Sequence, residues 1–265
     1  MTLICVQEQH LPGTTLEEKW EAATEWGYTG IELRAKGDLA LEARLPELRR
    51  ARGNGVMMPT VCAEMSHFVA DFDAELREDA IVQLCSQLTV MAEIGGTGAM
   101  TPASYGMFST RLPPFVPPRT PEEDTAVLTD TLGRVASHAA DVGISLYLEP
   151  LNRYEDHMVN RLEQGVALIE AIGVPTLRLV ADTYHVNIEE ADLVAALHRA
   201  APYLDHFQAS DSNRLEPGAG HLDWAALCGA LRDIDYAGDI AIESRLSGPA
   251  AEVLPRVPAL LQAFL

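Results

Sequence analysis

The sequence is poor in positive charge. It holds 19 Lys and Arg residues against 39 Asp and Glu residues, which gives a formal net charge of −20 at pH 7. No lysine follows Lys36. Because a field of this sign repels phosphate backbones, we expect no nucleic acid partner. A small substrate that is neutral, or is bound by a few local charges, fits the composition better.

Long apolar runs and paired cysteines are also missing. No run reaches the roughly 18 residues that a membrane span needs, so we expect no membrane partner. The N-terminus lacks the basic stretch of a signal peptide, and we therefore expect a cytoplasmic protein. The cysteines show no C-x-x-C spacing, which predicts reduced, mostly buried thiols rather than a disulfide frame or a zinc cluster. They are Cys5, Cys62, Cys85 and Cys228.

What the sequence does contain is an eightfold alternation of short β-type runs with longer helical stretches. The predicted strands cover residues 2–7, 29–34, 56–63, 98–102, 145–149, 177–181, 206–209 and 239–243. The predicted helices cover residues 15–26, 40–53, 77–94, 121–142, 161–172, 191–201, 224–232 and 250–264.

This alternation implies parallel strands in an α/β fold. Eight units in 265 residues match the roughly 250 residues of a (β/α)₈ TIM barrel. A doubly wound open sheet is the alternative, but no G-x-G-x-x-G motif follows the first strand, and polar residues end many strands. The Pro-rich stretch at 112–123 is interpreted as a long loop, and no linker marks a second domain. We therefore predict one barrel domain over residues 1–265.

Polar residues end the last four predicted strands. Glu149 ends the fifth strand, Asp182 follows the sixth and Glu243 ends the eighth, while His206 and Gln208 share one face of the seventh. Active sites of such barrels form at the C-terminal strand ends. Carboxylates that converge there repel one another unless a cation lies among them. Oxygen-rich ligation favours Mn²⁺, Mg²⁺ or Co²⁺ over a zinc site of sulfur and nitrogen.

Taken singly, these residues have ordinary structural explanations. A glutamate at a strand end can simply meet solvent, and Asp182 can cap the turn that follows it. His185 can be a packed histidine bonded to a backbone carbonyl. Arg214 can pair with Glu216 at the surface, and Glu155 can be a loop charge. The joint pattern favours the functional interpretation.

Several segments in the second half of the chain carry a resemblance to a known family. They read LEPLNRYE, ADTYHVNIEE, SDSNRLEPGAGHLDW and AIE. They resemble motifs of the xylose isomerase-like sugar (phosphate) isomerases and epimerases, especially the ketose 3-epimerases of the D-tagatose and D-psicose type. The first half shares only its strand rhythm with that family, in GIELRAKGD and PTVCAE.

The resemblance implies a metal-dependent enzyme with assigned residues. Glu149 and Glu243 would bind the metal and act as the acid/base pair, with Asp182 as a further ligand. The family's ligand histidine corresponds to Gln208, whose carbonyl oxygen can bind a hard cation, so we expect Gln208 as the fourth ligand. Mn²⁺ is the expected ion, with Mg²⁺ or Co²⁺ as alternatives. The residues matching those that hold substrate oxygens are Glu155, His185 and Arg214.

The predicted chemistry begins with removal of a proton beside a carbonyl to give an enediolate. Return of a proton from the other face epimerises the carbon, whereas return to the neighbouring carbon gives aldose–ketose isomerisation. Two glutamates on opposite sides favour a ketose or keto-sugar-acid 3-epimerase. An isomerase of hydroxypyruvate, an inosose or a sugar phosphate stays open, as does a non-catalytic sugar-binding barrel.

A DNA-repair endonuclease on the same barrel is disfavoured, because the fourth strand ends in TPASYG without a histidine. The predicted partner is therefore a small sugar, and the predicted assembly is a homodimer or homotetramer.

Overall fold

The protein forms a closed barrel of eight parallel strands in the order of the sequence. The structure, a computed structural model, describes residues 2–108 and 116–265, so the predicted loop at 112–123 lies partly outside the described residues. The first strand pairs with both the second and the eighth, which closes the sheet. The predicted (β/α)₈ fold is confirmed, and the assignment of residues 1–265 to one domain stays a prediction.

Strands and helices alternate around this barrel. The strands are β1 (Ile4–Gln7), β2 (Gly30–Lys36), β3 (Thr60–Glu64), β4 (Gly98–Pro102), β5 (Ser145–Glu149), β6 (Leu177–Asp182), β7 (Leu204–Ala209) and β8 (Asp239–Ile242). The helices are α1 (Leu16–Glu25), α2 (Ala40–Ala43), α3 (Leu45–Gly53), α4 (Ala74–Glu93), α5 (Pro121–Val142), α6 (Leu162–Ile172), α7 (Thr183–Glu189), α8 (Leu193–Ala200), α9 (Trp224–Asp233), α10 (Ala250–Val253) and α11 (Val257–Gln262). Short 3₁₀ turns cover Glu8–His10, Ala201–Tyr203 and Leu254–Arg256.

Prolines lie near several of the points where the elements differ from prediction. The third strand begins at Thr60 rather than at 56, because Pro59 has no N–H to donate to a ladder. The helix predicted over 40–53 is divided between α2 and α3. The helix predicted over 250–264 is divided by a 3₁₀ turn that contains Pro255, and α11 then begins with Pro258 near its start.

Helix signals read from the sequence are found at α5. Thr120 accepts a hydrogen bond from the N–H of Glu123, and the Glu123 carboxylate accepts one from the N–H of Thr120. The helix ends at Gly143, whose φ of 79° lies in the left-handed region that glycine adopts without strain. These caps fix both ends of the longest helix at the predicted residues.

The main apolar core packs the helices against the outside of the barrel. A smaller buried cluster of Cys62, Met100, Tyr147 and Val180 is separate from it. All four cysteines are free. No helix within 2–108 and 116–265 is long and apolar enough to cross a membrane.

Candidate active site

The predicted site residues lie at the C-terminal ends of neighbouring strands. Glu149 ends β5, and Asp182 ends β6 in register with Gln208 of β7. Glu243 directly follows β8, and its N–H donates to the carbonyl oxygen of Ala209 at 3.3 Å. The parallel ladder therefore brings four residues that are far apart in the sequence to one rim.

A cavity of about 470 Å³ opens at this rim. Five predicted site residues line it, namely Glu149, Glu155, His185, Arg214 and Glu243. We call it the strand-end cavity. The other two, Asp182 and Gln208, are fully buried and do not line it. The structure thus gathers the predicted residues around one space, and their roles stay predictions.

Glu149 is buried, Glu243 is partly buried, and both are incompletely hydrogen-bonded. Glu149 Oε1 and Glu243 Oε2 are buried without a hydrogen-bond partner among the described residues. Burial, followed by the charges of Glu243 and Asp182, raises the pKa of Glu149 well above its ordinary value. Burial also raises the pKa of Glu243 to about 7, although Arg214 opposes the shift. Two proton-holding groups therefore face the same cavity.

Arg214 lies between two of the acids. Its Nη1 is 2.5 Å from Asp182 Oδ2, and its Nη2 is 3.2 Å from Glu243 Oε1. Burial would lower the pKa of the guanidinium, but these two carboxylates raise it above its ordinary value. Burial would raise the pKa of Asp182, but the charge of Arg214 holds it below its ordinary value. The guanidinium also lies over the ring of Tyr184, at 5.0 Å from its centroid.

The ring of His185 is oriented by Asn152. The backbone N–H of Asn152 donates to His185 Nδ1 at 3.0 Å, and the side-chain nitrogen of Asn152 is 2.8 Å from the same atom. Burial lowers the pKa of His185 to about 4, so the ring is neutral at pH 7. Because Nδ1 accepts, the proton is on Nε2, which lies 3.6 Å from Glu149 Oε1. His185 therefore offers a donor at the cavity.

Gln208 belongs to a buried network centred on Glu32. Its side-chain nitrogen donates to Glu32 Oε1 at 3.1 Å and to Met100 Sδ at 2.8 Å. A carboxylate cannot donate to an amide oxygen, so this contact fixes which end of the amide points away. Gln208 Oε1 is accordingly left buried without a partner. The network therefore leaves the amide oxygen of Gln208, rather than its nitrogen, available to a hard cation, which prefers oxygen ligands.

Glu32 has three further donors. Gln7 Nε2 and Thr60 Oγ1 donate to it at 3.0 and 2.9 Å, and His206 Nε2 lies 2.8 Å from its Oε2. Burial would raise the pKa of Glu32, but the hydrogen bond and charge of His206 hold it below its ordinary value. His206 also stacks on Tyr147, with ring centroids 5.5 Å apart. His206 thus serves the interior of the barrel, one layer below Gln208.

Two residues of the site were not singled out from the sequence. Glu32 is a lone acid inside the otherwise apolar first half of β2, a pattern that could have drawn attention to it. Asn152 lies within the segment LEPLNRYE and carries no separate signal, because its partner His185 is 33 residues away. Both act on the orientation of a predicted site residue.

The donor set fits a divalent cation. Glu149, Asp182 and His185 each place one atom within 4.8 Å of the others, a spacing that could hold a metal ion. Partnerless buried oxygens on Glu149, Gln208 and Glu243 add further oxygen donors at the same rim. Since buried polar atoms are normally satisfied, these three oxygens indicate a missing partner, and a divalent cation would satisfy all three at once. His185 fits a substrate-facing donor better than a ligand, because its Nε2 carries the proton.

The family model described as the xylose isomerase-like TIM barrel matches residues 20–263. The chain belongs to this family. The resemblance seen in the sequence is thereby confirmed.

Relatives within the family carry epimerase names. The 3-dehydro-D-guloside 4-epimerase of Escherichia coli (strain K12) is 35% identical over 244 residues, which cover 92% of each chain. A D-psicose 3-epimerase of Agrobacterium fabrum (strain C58) is 39% identical over 120 residues, 45% of this chain and 42% of its own length. The solved structure of a 3-keto-D-glucoside 4-epimerase from E. coli superposes with a TM-score of 0.92 at 33% identity, covering 99% of this chain and 100% of that one. These relatives bear out the prediction of an enzyme of the isomerase class.

Proposed function

We propose that the protein is a keto-sugar epimerase that inverts a carbon next to a carbonyl group. The observation that carries the proposal is the pair of glutamates, Glu149 and Glu243, which face one cavity with raised pKa values and each with one buried, partnerless oxygen. A carboxylate whose pKa lies near the working pH can both take and return a proton.

A divalent cation is part of the proposal, with Mn²⁺ as the expected ion and Mg²⁺ or Co²⁺ as alternatives. Glu149, Asp182, Gln208 and Glu243 would hold it through oxygen atoms. When bound, such an ion supplies a Lewis acid that polarises the substrate carbonyl. The partnerless oxygens support this assignment.

The chain's own residues would then move the proton and stabilise charge. One of Glu149 and Glu243 takes the proton from the carbon beside the carbonyl, and the other returns one from the opposite face. The N–H groups of Arg214 and the Nε2–H of neutral His185 donate to the oxygen on which negative charge develops. Glu155, 3.7 Å from His185 Nδ1 through its Oε2, would hold a substrate hydroxyl. The intermediate is an enediolate.

Two substrate classes fit this chemistry. A 3-keto-glycoside inverted at C4 is favoured by the E. coli relative, because the similarity to it extends over 92% of both chains. A ketose inverted at C3 is favoured by the local similarity to the D-psicose 3-epimerase. In both, the reacting carbon adjoins a ketone, so one pair of glutamates serves either substrate.

The test is exchange of substrate hydrogen with solvent deuterium, followed by NMR over both keto-sugar classes with Mn²⁺ present. We expect deuterium at the carbon beside the carbonyl together with the epimeric product. Exchange into an aldose product would instead identify an aldose–ketose isomerase. No exchange in any keto sugar, with binding intact, would identify a non-catalytic sugar-binding barrel.

We also propose a cytoplasmic location and a homodimeric or homotetrameric assembly. The location is supported by the four free thiols, three of them buried, which suit a reducing compartment. Sedimentation would determine the number of chains.

A further inference from the structure

A second cavity, of about 410 Å³, adjoins the strand-end cavity. We call it the side cavity. The two share the lining residues Gln9, Arg34 and Glu64. Lys19 of α1 and Leu41 of α2 contribute to its remaining walls. The reaction proposed above makes no use of this space, although a molecule in the strand-end cavity has direct access to it.

The side cavity is positively charged in a strongly negative molecule. Two carboxylates, Glu8 and Glu64, face four cationic side chains in its lining. The cations are Lys19, Arg34, Lys36 and Arg44. They include both lysines of the whole sequence. In a chain of net charge −20, such a concentration creates a local field that attracts anions.

Two of these cations, Arg44 and Lys19, lie next to carboxylates. Arg44 donates to both oxygens of Glu8, at 2.8 and 2.9 Å, and also contacts Glu47 at 3.2 Å. Lys19 Nζ lies 3.7 Å from Glu8 Oε2. These pairs shape the wall of the cavity and leave little charge for a ligand.

The other two cations keep unused donors. Arg34 contacts Glu64 at 3.0 Å through Nη2, but its Nε is buried without a hydrogen-bond partner. Lys36 forms no ion pair with any residue in 2–108 or 116–265, and its side chain is exposed. A buried N–H of a guanidinium without an acceptor is costly, so it indicates a missing hydrogen-bond acceptor, a role that an anionic oxygen fills well.

Strand β2 arranges these donors in a row. Glu32, Arg34 and Lys36 alternate with apolar residues and therefore share one face of the strand. Successive members of the row are roughly 6.6 Å apart along the strand. Arg34 lines both cavities, whereas Lys36 lines the side cavity alone. A ligand extending out of the strand-end cavity would meet Arg34 first and Lys36 next.

We propose that the side cavity is a subsite for an anionic group, a carboxylate or a phosphate, carried by the keto sugar that reacts in the strand-end cavity. The Nε–H of Arg34 and the ammonium of Lys36 donate to the oxygens of the anion. The proposal rests on the proposed function for the identity of the sugar part. The anionic group stays chemically unchanged and serves to hold the substrate.

Three six-carbon ketoses test the subsite by calorimetric titration of the Mn²⁺-loaded protein. They are D-fructose, which is neutral, D-fructose 6-phosphate and 5-keto-D-gluconate. We expect at least one of the two anionic ketoses to bind roughly tenfold more tightly than D-fructose. The phosphate and the carboxylate arms show which anion the subsite takes.

Variants assign the effect to the side cavity. Lys36→Gln should remove most of the advantage of the anionic ketose, while Lys36→Arg should retain it. Binding of D-fructose should stay unchanged in both. Arg232→Gln is the matched control, because Arg232 is an exposed cation at the end of α9 and lines neither cavity. This control should bind all three ketoses as the wild type does.

The inference is overturned if neither anionic ketose binds more tightly than D-fructose. It is equally overturned if none of the three ketoses binds. It is also overturned if Lys36→Gln retains the full advantage. Because the titration reports binding and the deuterium exchange reports turnover, the two proposals fail separately. Lys36-dependent binding without deuterium exchange would sink only the epimerase, whereas exchange of keto sugars without such binding would sink only the subsite.

Discussion

At the scale of single residues, the partnerless oxygens of Glu149 and Glu243 define what the site can do. A buried carboxylate that lacks a hydrogen bond holds its proton more firmly than an exposed one. Such a carboxyl group can therefore act in proton transfer. Their neighbours Arg214 and His185 are both held by contacts that orient them toward the cavity.

Replacing either glutamate tests the two-base scheme. In Glu149→Gln and in Glu243→Gln, we expect kcat to fall by roughly 10²–10⁴-fold, because an amide cannot take or return the proton. Binding of the keto sugar should persist and can be measured by calorimetry. Glu252→Gln, at an exposed position of α10, is the control and should keep normal activity. A Glu149 or Glu243 variant with near wild-type kcat would contradict the scheme.

The amide of Gln208 is the basis of a second prediction. An amide oxygen is a weaker donor to transition metals than an imidazole nitrogen. We therefore expect Gln208→His to tighten Zn²⁺ and Co²⁺ binding more than Mg²⁺ binding, and Gln208→Ala to weaken all three. His206→Ala should mainly lower stability, because His206 bonds Glu32 in the interior. Metal titration that finds the reverse dependence, loss with His206→Ala only, would make His206 the ligand.

Glu243 should make the folding stability of the metal-free protein depend on pH. Its pKa is about 7 in the folded chain against an ordinary value of 4.5, so folding favours the protonated form. The folded state then loses stability as pH rises from about 4.5 to about 7. In chelator, the melting temperature of the wild type relative to Glu243→Gln should fall between these pH values. A constant difference would show that the Glu243 pKa is unshifted.

At the scale of elements, close packing of β4 on β5 supports the interior network. A Cβ atom on Gly98 would approach the ring of Tyr147 and the carbonyl oxygen of Ser145 closer than 3.0 Å. Tyr147 in turn stacks on His206, the partner of Glu32. The backbone of β4 can thus approach β5 only because residue 98 has no side chain.

Gly98→Ala should therefore lower the free energy of unfolding by roughly 1–3 kcal/mol, as overpacking does. Gly53→Ala is the matched control, because nothing lies within 4 Å of its added Cβ and it ends helix α3. The control should leave stability unchanged or slightly higher. Urea unfolding of both variants measures the difference, and equal stability would refute the packing argument.

The strand rhythm and helix caps were local signals, and the elements they predicted are present. The helix break at Pro255 and the late start of β3 after Pro59 differ from the predicted boundaries. Each proline lacks an N–H, but the effect of that loss depends on which backbone carbonyl the N–H would have met in the folded chain. The network around Glu32 could not be predicted from the sequence at all. Its partner His206 is 174 residues away in sequence, and only barrel closure brings the two side chains together.

At the scale of the whole molecule, the net charge of −20 opposes compaction. We expect the melting temperature of the metal-free protein to rise when NaCl increases from about 0.05 to about 0.5 M, because salt screens self-repulsion. A neutral osmolyte of matched osmolality separates screening from solute exclusion. A falling melting temperature would mean that surface ion pairs such as Arg134 with Glu78 contribute more than the repulsion costs.

The contacts of Arg214 with Asp182 and Glu243 have a practical consequence. A guanidinium cannot lose its charge in a protein, so this residue is a built-in counterion that remains when any metal has been removed. Stripping the ion would then leave the acids partly neutralised and the rim in place. Metal exchange on the folded protein, with no refolding step, follows as the natural way to prepare samples loaded with different ions.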